Sequence, residues 1–347
     1  MAVATLNFKP KNVTKKLLTA LPERARLVVS KRYGLDKTNE RMTLEAIGEL
    51  YSITRERVRQ IENAALANIR KSPHFKAEKA AFDELSAIMV GLGSMVSEED
   101  LLVHLSKDAS TQNHVHFMLV VSDSFKKEKE DDEFKHRWHV DVELSKKIHE
   151  ALRKLYKNLN DDDLVPESEM IENFLEHLKD VNDKYKNEEV AKRWLRISKH
   201  IDKNPLGEWG KASSPNVRTK GIRDYAFLAM RKHGSPIHFR DIAKLIQQLF
   251  NKKAHVATTH NELIKDKRFV LVGRGLYALT EWGYLSGVVK DVIKKVLAKN
   301  GPLTKDQIVE KVLKERYVKE NTILVNLQNS KQFKKDKEGK YHLVEEK

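Results

Sequence analysis

Cysteine is absent from this chain of 347 residues. That excludes disulfides, thiol nucleophiles and cysteine-based zinc sites together, and it is the usage expected in a reducing compartment. Aromatic residues make up only 7% of the sequence while charged residues reach 33%, the balance of small helical units with modest cores. Long apolar runs are also missing. One of the longest, Phe117–Val121, falls far short of the ~20 residues that span a bilayer. The N-terminal stretch MAVATLNFKPKNVTKK has neither an apolar core nor a small-residue cleavage site, so no secretory signal is expected. What the chain has in surplus is positive charge. Its formal net charge is +15, with 65 Lys and Arg against 50 Asp and Glu. Such a surplus favours a polyanionic partner, and without a membrane signal nucleic acid is the expected one.

The periodicity predicts a mainly α fold: a helix-turn-helix head followed by tandem winged-helix modules with short β hairpins. Residues 1–20 read as a basic flexible arm. Residues 21–72 carry the head, with a helix from Pro22 to the Gly34 stop, a second over Leu44–Tyr51, and a third from the Thr54 cap to about Lys71. Val58, Ile61, Ala65 and Ile69 are expected to face inward from that last helix. Beyond Pro73, helices alternate with short aromatic-rich hairpins. The expected modules are 76–140, 141–212, 220–283 and 285–347, with joints at Ser72–Lys76, Ser213–Thr219 and Glu281–Ser286. The clearest hairpin is RFVLVGRGLYAL, residues 268–279, whose Gly-Arg-Gly supplies the turn.

Residues 54–60, TRERVRQ, are the most specific segment. A helix-turn-helix places the start of its second helix in the major groove. Arg55 and Arg59 lie four apart on one face, with Glu56, Gln60 and Asn63 beside them. Arginine binds the acceptor edge of guanine, glutamine suits adenine, and glutamate accepts from the amino group of cytosine. The alternative for the same pattern is a solvated helix laced by ion pairs.

The residues LPERARLVVSKRYGL and MTLEAIGELYSITRERVRQIENAAL, within 21–71, closely resemble region 4 of sigma-70-type RNA polymerase sigma factors. In that family the module reads the minus-35 promoter element and packs on the polymerase flap. The resemblance implies base contacts for Arg55, Glu56, Arg59 and Gln60. It implies backbone contacts for Arg24, Arg32, Thr43, Leu44, Thr54 and Arg57. Ala64 and Asn68 depart from the basic residues usual in the family, which implies weaker phosphate contacts there. Nothing else in the sequence resembles the sigma region that melts the minus-10 element. SPIHFRDIAKLI and RFVLVGRGLYALTEWG, within about 221–283, resemble the HARE-HTH winged helix of the RNA polymerase delta subunit, and Arg274 at the wing tip is a possible DNA contact.

Other patterns point away from chemistry. His114/His116 and His136/His139 lack a third ligand at metal spacing and read as packing or surface residues. The acidic run Glu128–Glu133 reads as a solvated turn, and the four tryptophans as core closure. No catalytic constellation, cofactor or metal is expected. The partners expected are double-stranded, promoter-like DNA and RNA polymerase core, with no membrane, at a cytoplasmic, nucleoid-associated location. The alternative function is a polymerase-binding factor that does not read sequence.

Overall fold

The computed structural model describes residues 5–328 and 332–344. The chain is mainly helical with small antiparallel hairpins, consistent with a helix-turn-helix head and winged-helix modules. It divides into two compact units, residues 1–203 with 207–213, and residues 204–206 with 214–347.

The first unit begins with α1 (Pro10–Leu18), α2 (Glu23–Tyr33), α3 (Leu44–Tyr51), α4 (Arg55–Lys71) and α5 (Pro73–Ala77). Two expectations are corrected here. Within the supposed flexible arm, residues 10–18 form α1, because Val13, Leu17 and Leu18 recur at helical spacing and are buried; residues 1–4 lie outside the described set. The supposed joint at Ser72–Lys76 is the start of α5. Ser72 Oγ caps it by accepting from Phe75 N at 3.2 Å, and Pro73 costs nothing in its first turn.

Next come α6 (Lys79–Gly91), β1 (Met95–Ser97), α7 (Glu98–Leu105), α8 (Ala109–Val121), β2 (Lys126–Glu128) and β3 (Arg137–His139). The sheet order is β1-β3-β2, all antiparallel. Three helices and a hairpin were expected; the strand between the first and second helix, three residues long, has too short a pattern to read from sequence.

The same plan of helix, strand, two helices and two strands recurs. In residues 141–212 it is built by α9 (Val142–Asn158), α10 (Glu167–Glu176), α11 (Glu188–Leu195), β4 (Ile201–Lys203) and β5 (Trp209–Lys211). Its first strand is reduced to one bridge, Val165 to Trp209.

The head and the first module are one body. A single core runs from Leu17, Tyr33, Leu66 and Ile69 of the head into Phe117 and Met118 of α8. Residues 113–119 of α8 are buried without a break, because α7 covers one side of this helix and α1, α2 and α4 cover the other. Asn113 is the polar clasp. Its Nδ2 donates to the carbonyls of Gly34 (3.0 Å) and Asn39 (2.8 Å), and its Oδ1 accepts from Arg41 Nε at 2.7 Å. Gly34 has φ +61°, and a Cβ there would sit 2.6 Å from Asn113 Nδ2. The position therefore needs glycine for both backbone and space.

The acidic run is a further correction. Glu128 accepts from the buried Arg137 (2.6 Å) and from Ser145 Oγ (2.9 Å), with His139 Nε2 at 3.0 Å. Glu133 takes a forked pair of bonds from Arg153. These carboxylates tie α9 to the β2–β3 hairpin instead of decorating a solvated turn, because Arg137, at 4% exposure, requires a counter-charge. Trp194 Nε1 donates to Gly93 O at 3.1 Å, fastening the second module to the first.

The second unit holds α12 (Ile222–His233), β6 (Ile237–His238), α13 (Phe239–Phe250), α14 (Val256–Lys265), β7 (Phe269–Gly273) and β8 (Leu276–Leu279). These are followed by α15 (Val289–Asn300), β9 (Leu303–Thr304), α16 (Lys305–Glu315), α17 (Glu320–Leu327), β10 (Phe333–Lys335) and β11 (Lys340–Leu343). The sheet orders are β6-β8-β7 and β10-β11-β9, the same as in the first module. Inside the third module Arg268 donates to Asp224 (2.8 Å), Asp266 (2.6 Å) and Asn216 (2.8 Å). Tyr317 N donates to Val272 O at 2.8 Å, which joins the last two modules through the β7 edge.

Candidate nucleic-acid interface

The head's turn is shaped by short side chains. Thr43 Oγ1 accepts from Ala46 N at 3.1 Å and starts α3; Thr54 Oγ1 accepts from Arg57 N at 3.2 Å and starts α4. Between them Ser52 takes a left-handed conformation, φ 52°. Gly48, buried inside α3, allows the close crossing: a Cβ there would lie 2.7 Å from the carbonyl oxygen of Ile53. A small core of Val28, Ile47 and Val58, with Leu44, Tyr51, Ile53 and Ile61 at its edge, fixes the angle between the helices.

This packing sorts the two faces of α4. Val58, Glu62, Ala65, Leu66 and Ile69 are buried. Arg55, Glu56, Arg57, Arg59, Gln60 and Asn63 are all exposed, so the four expected base readers share one open surface. They are organised before any ligand arrives. Glu56 holds Arg59 with two bonds of 2.8 and 2.7 Å, Arg57 donates to Gln60 Oε1 at 3.1 Å, and Arg55 lies 4.0 Å from Glu45. The Arg59 guanidinium holds the Glu56 carboxyl below the usual carboxylate range. Exposed pairs of this kind are weak, so a guanine edge or a phosphate competes with them readily.

The expected backbone set divides. Arg24, Thr43, Thr54 and Arg57 are exposed. Leu44 is half-buried at the edge of the small core. Arg32 turns inward: its guanidinium donates to Met42 O at 2.9 Å and lies 3.4 Å from Glu62. Arg274 is exposed in the β7–β8 turn of the second unit.

Four residues that support this surface are missing from the sequence reading. Glu62 is a buried carboxylate that accepts from Tyr33 Oη at 2.7 Å. Burial, and then the Glu62 charge, push the Tyr33 phenol far above its ordinary range. The charge pattern alone marks Glu62 as solvated; only its inward position at the fourth residue after Val58 hints otherwise. Gly48 and the Asn113–Arg41 contact are likewise set by tertiary approach.

Of the four histidines set aside as ligands, His136 is exposed. His114, His116 and His139 are buried, and burial lowers the pKa of each. Among the described residues no group of three or more His, Asp or Glu is placed to hold a metal, and no helix is long and apolar enough to cross a membrane.

Residues 17–71 match the family Sigma-70, region 4. The same segment is 49% identical over 55 residues to the RNA polymerase sigma factor SigA of a Nostoc species, covering 16% of this chain and 14% of that protein. It is 53% identical over 53 residues to the sigma factor RpoS of Coxiella burnetii, covering 15% of each chain. The sigma factor RpoD of Neisseria gonorrhoeae is 43% identical over 58 residues, 17% of this chain and 9% of its own length. The likeness therefore spans about a seventh or less of these relatives. The likeness to sigma-70 region 4 is thus confined to the head, residues 17–71.

Proposed function

We propose that this chain is a DNA-binding transcription regulator associated with bacterial-type RNA polymerase, and that its head reads minus-35-like promoter DNA with the first turns of α4. One observation carries the reading. Arg55, Glu56, Arg59 and Gln60 stand together on the exposed face of a capped helix within the segment that matches sigma-70 region 4. In this reading Arg55 and Arg59 take guanine acceptors, Gln60 takes adenine, and Glu56 either braces Arg59 or accepts from cytosine. Arg24, Thr43, Thr54 and Arg57 lie on phosphates and set the register. The modules that follow are winged helices, with 220–283 of the HARE-HTH type, and the protein works in the cytoplasm on the nucleoid. Strand opening is left to another factor. Selection of bound sequences from a random duplex pool tests this reading. Enrichment of a minus-35-like hexamer is expected, and Arg55→Ala should cost about 1–3 kcal/mol of preference for it. Unchanged binding of Arg55→Ala to the selected sequence would rule the reading head out.

A second reading has its own support. Leu27 and Leu50 in the head are 43% and 53% exposed, which suits a protein surface such as the polymerase flap. Here the head binds polymerase without reading sequence. Retained polymerase pull-down by a variant lacking Arg55, Arg59 and Gln60, with no hexamer enriched by the wild type, would favour it.

A further inference from the structure

The four modules share one plan, so their third helices can be compared directly. The third helix of a winged helix is the one available to enter a major groove. In the first module this is α8, buried continuously over residues 113–119 and clasped by the head. In the second it is α11, whose basic residues Lys192 and Arg193 are both taken up by ion pairs with its first-turn carboxylates Glu188 and Glu189. In the fourth it is α17, ENTILVNL, which carries Glu320 and no Lys or Arg at all. Only α14 of the third module has no acidic residue in its first turn and an open face, with Ala257, Thr258, Asn261, Ile264 and Lys265 exposed.

The charge distribution agrees. Residues 73–213 hold 22 Lys and Arg against 29 Asp and Glu, whereas residues 214–347 hold 28 against 14. The third module alone, residues 214–284, has 13 against 5. The basic surplus of the whole chain therefore sits in the head and the second unit, and the modules between them are acidic. Around α14, Lys253, Lys265 and Arg274 are exposed and have no ion-pair partner among the described residues. Arg274 is carried on the turn of the β7–β8 hairpin, which is anchored to the start of α13 by the bond from Phe239 N to Gly275 O, 3.0 Å.

We propose that the third module is a second duplex-DNA site, independent of the head, in which α14 lies in the major groove. Thr258 and Asn261 face base edges, Ile264, 63% exposed, meets a thymine methyl, and Lys253, Lys265 and Arg274 hold phosphates. The inference deepens the DNA-binding reading above but does not need the head to be the reader. The first two modules serve as mounts and do not touch DNA.

The test uses the full chain, a 30-base-pair duplex and fluorescence anisotropy over a range of salt concentrations. The triple variant Lys253→Ala, Lys265→Ala, Arg274→Ala should bind every duplex more weakly. Its slope of log affinity against log salt should be smaller in magnitude by about 2–3, at roughly 0.9 per lost phosphate contact. Any preference for a selected hexamer should survive. A thermal melt checks folding, and if the alanines melt early the Gln substitutions at the same positions replace them. An unchanged affinity and slope overturns the proposal. A second variant, Arg55→Ala, Arg59→Ala, Gln60→Ala, separates the two readings. If it binds like the wild type while the module variant loses slope, the head reading falls and this one stands.

Discussion

Replacing Asn113 by alanine should loosen the head without touching a single DNA-facing residue. Asn113 is 6% exposed and lies on α8, yet all three of its side-chain bonds reach the segment from Gly34 to Arg41, which leads into α3. Each hydrogen bond of this kind contributes about 0.5–1.5 kcal/mol net, and a buried acceptor left without a donor costs about 1–3 kcal/mol. The Arg41 bond counts for less because solvent can replace it. The two carbonyls dominate, and the expected loss is about 2–4 kcal/mol. The effect should be local, so the assay is hydrogen exchange by peptide: amides over 34–44 should exchange faster while those of the second unit stay as they were. A double-mutant cycle with Arg41→Ala isolates that pair, with a coupling of about 0.5–1 kcal/mol expected. Unaltered exchange over 34–44 together with an unaltered urea midpoint would refute the clasp.

Three other outcomes are expected. Gly48→Ala forces a Cβ to within 2.7 Å of Ile53 O; the crossing of α3 and α4 must open, at about 1–3 kcal/mol, seen as a lower melting temperature of the head and weaker DNA binding. Tyr33→Phe leaves the buried Glu62 without its 2.7 Å donor and should lower stability by about 1–3 kcal/mol, whereas Tyr33→Phe with Glu62→Gln should recover part of the loss. Acid should destabilise the first unit: burial, and then the Arg137 charge, push His149 down to about 4, and burial also lowers His114, His116 and His139. An imidazole with a lowered pKa binds protons in the unfolded chain first, so its neutral form supports folding above about pH 6.5 and that support fades as pH falls toward 4. Urea midpoints measured from pH 7.5 to 4.5 should fall, and a flat profile would remove these histidines from the account.

Helix positions were readable because periodicity and caps are local. The helix over Leu44–Tyr51 falls where the pattern sets it, and the Thr54 cap and the outward face of α4 follow from residues a few positions apart. Contacts across long separations were not readable. Lys and Asn around α1 look like a solvated arm until Val13 and Leu17 meet α8. Glu128 looks like one more surface carboxylate until the buried Arg137 arrives beside it, and Gly48 looks like an unremarked helix residue until Ile53 crosses it. The first strands of the modules, two or three residues long, carry too little alternation to register at all.

The burial of α8 on both sides also bears on how the head can be moved between proteins. A fragment cut at Lys71, where the sigma likeness ends, would bare Tyr33, Leu66 and Ile69 to water and should aggregate or melt early. Grafting the reading helix onto another scaffold therefore requires carrying its seat along. Because Gly93 and Met95 of the first module are in turn held by Trp194 and the core of the second, the transplantable cassette is residues 5–213, and calorimetry should record it as one transition where a modular chain of beads would give several.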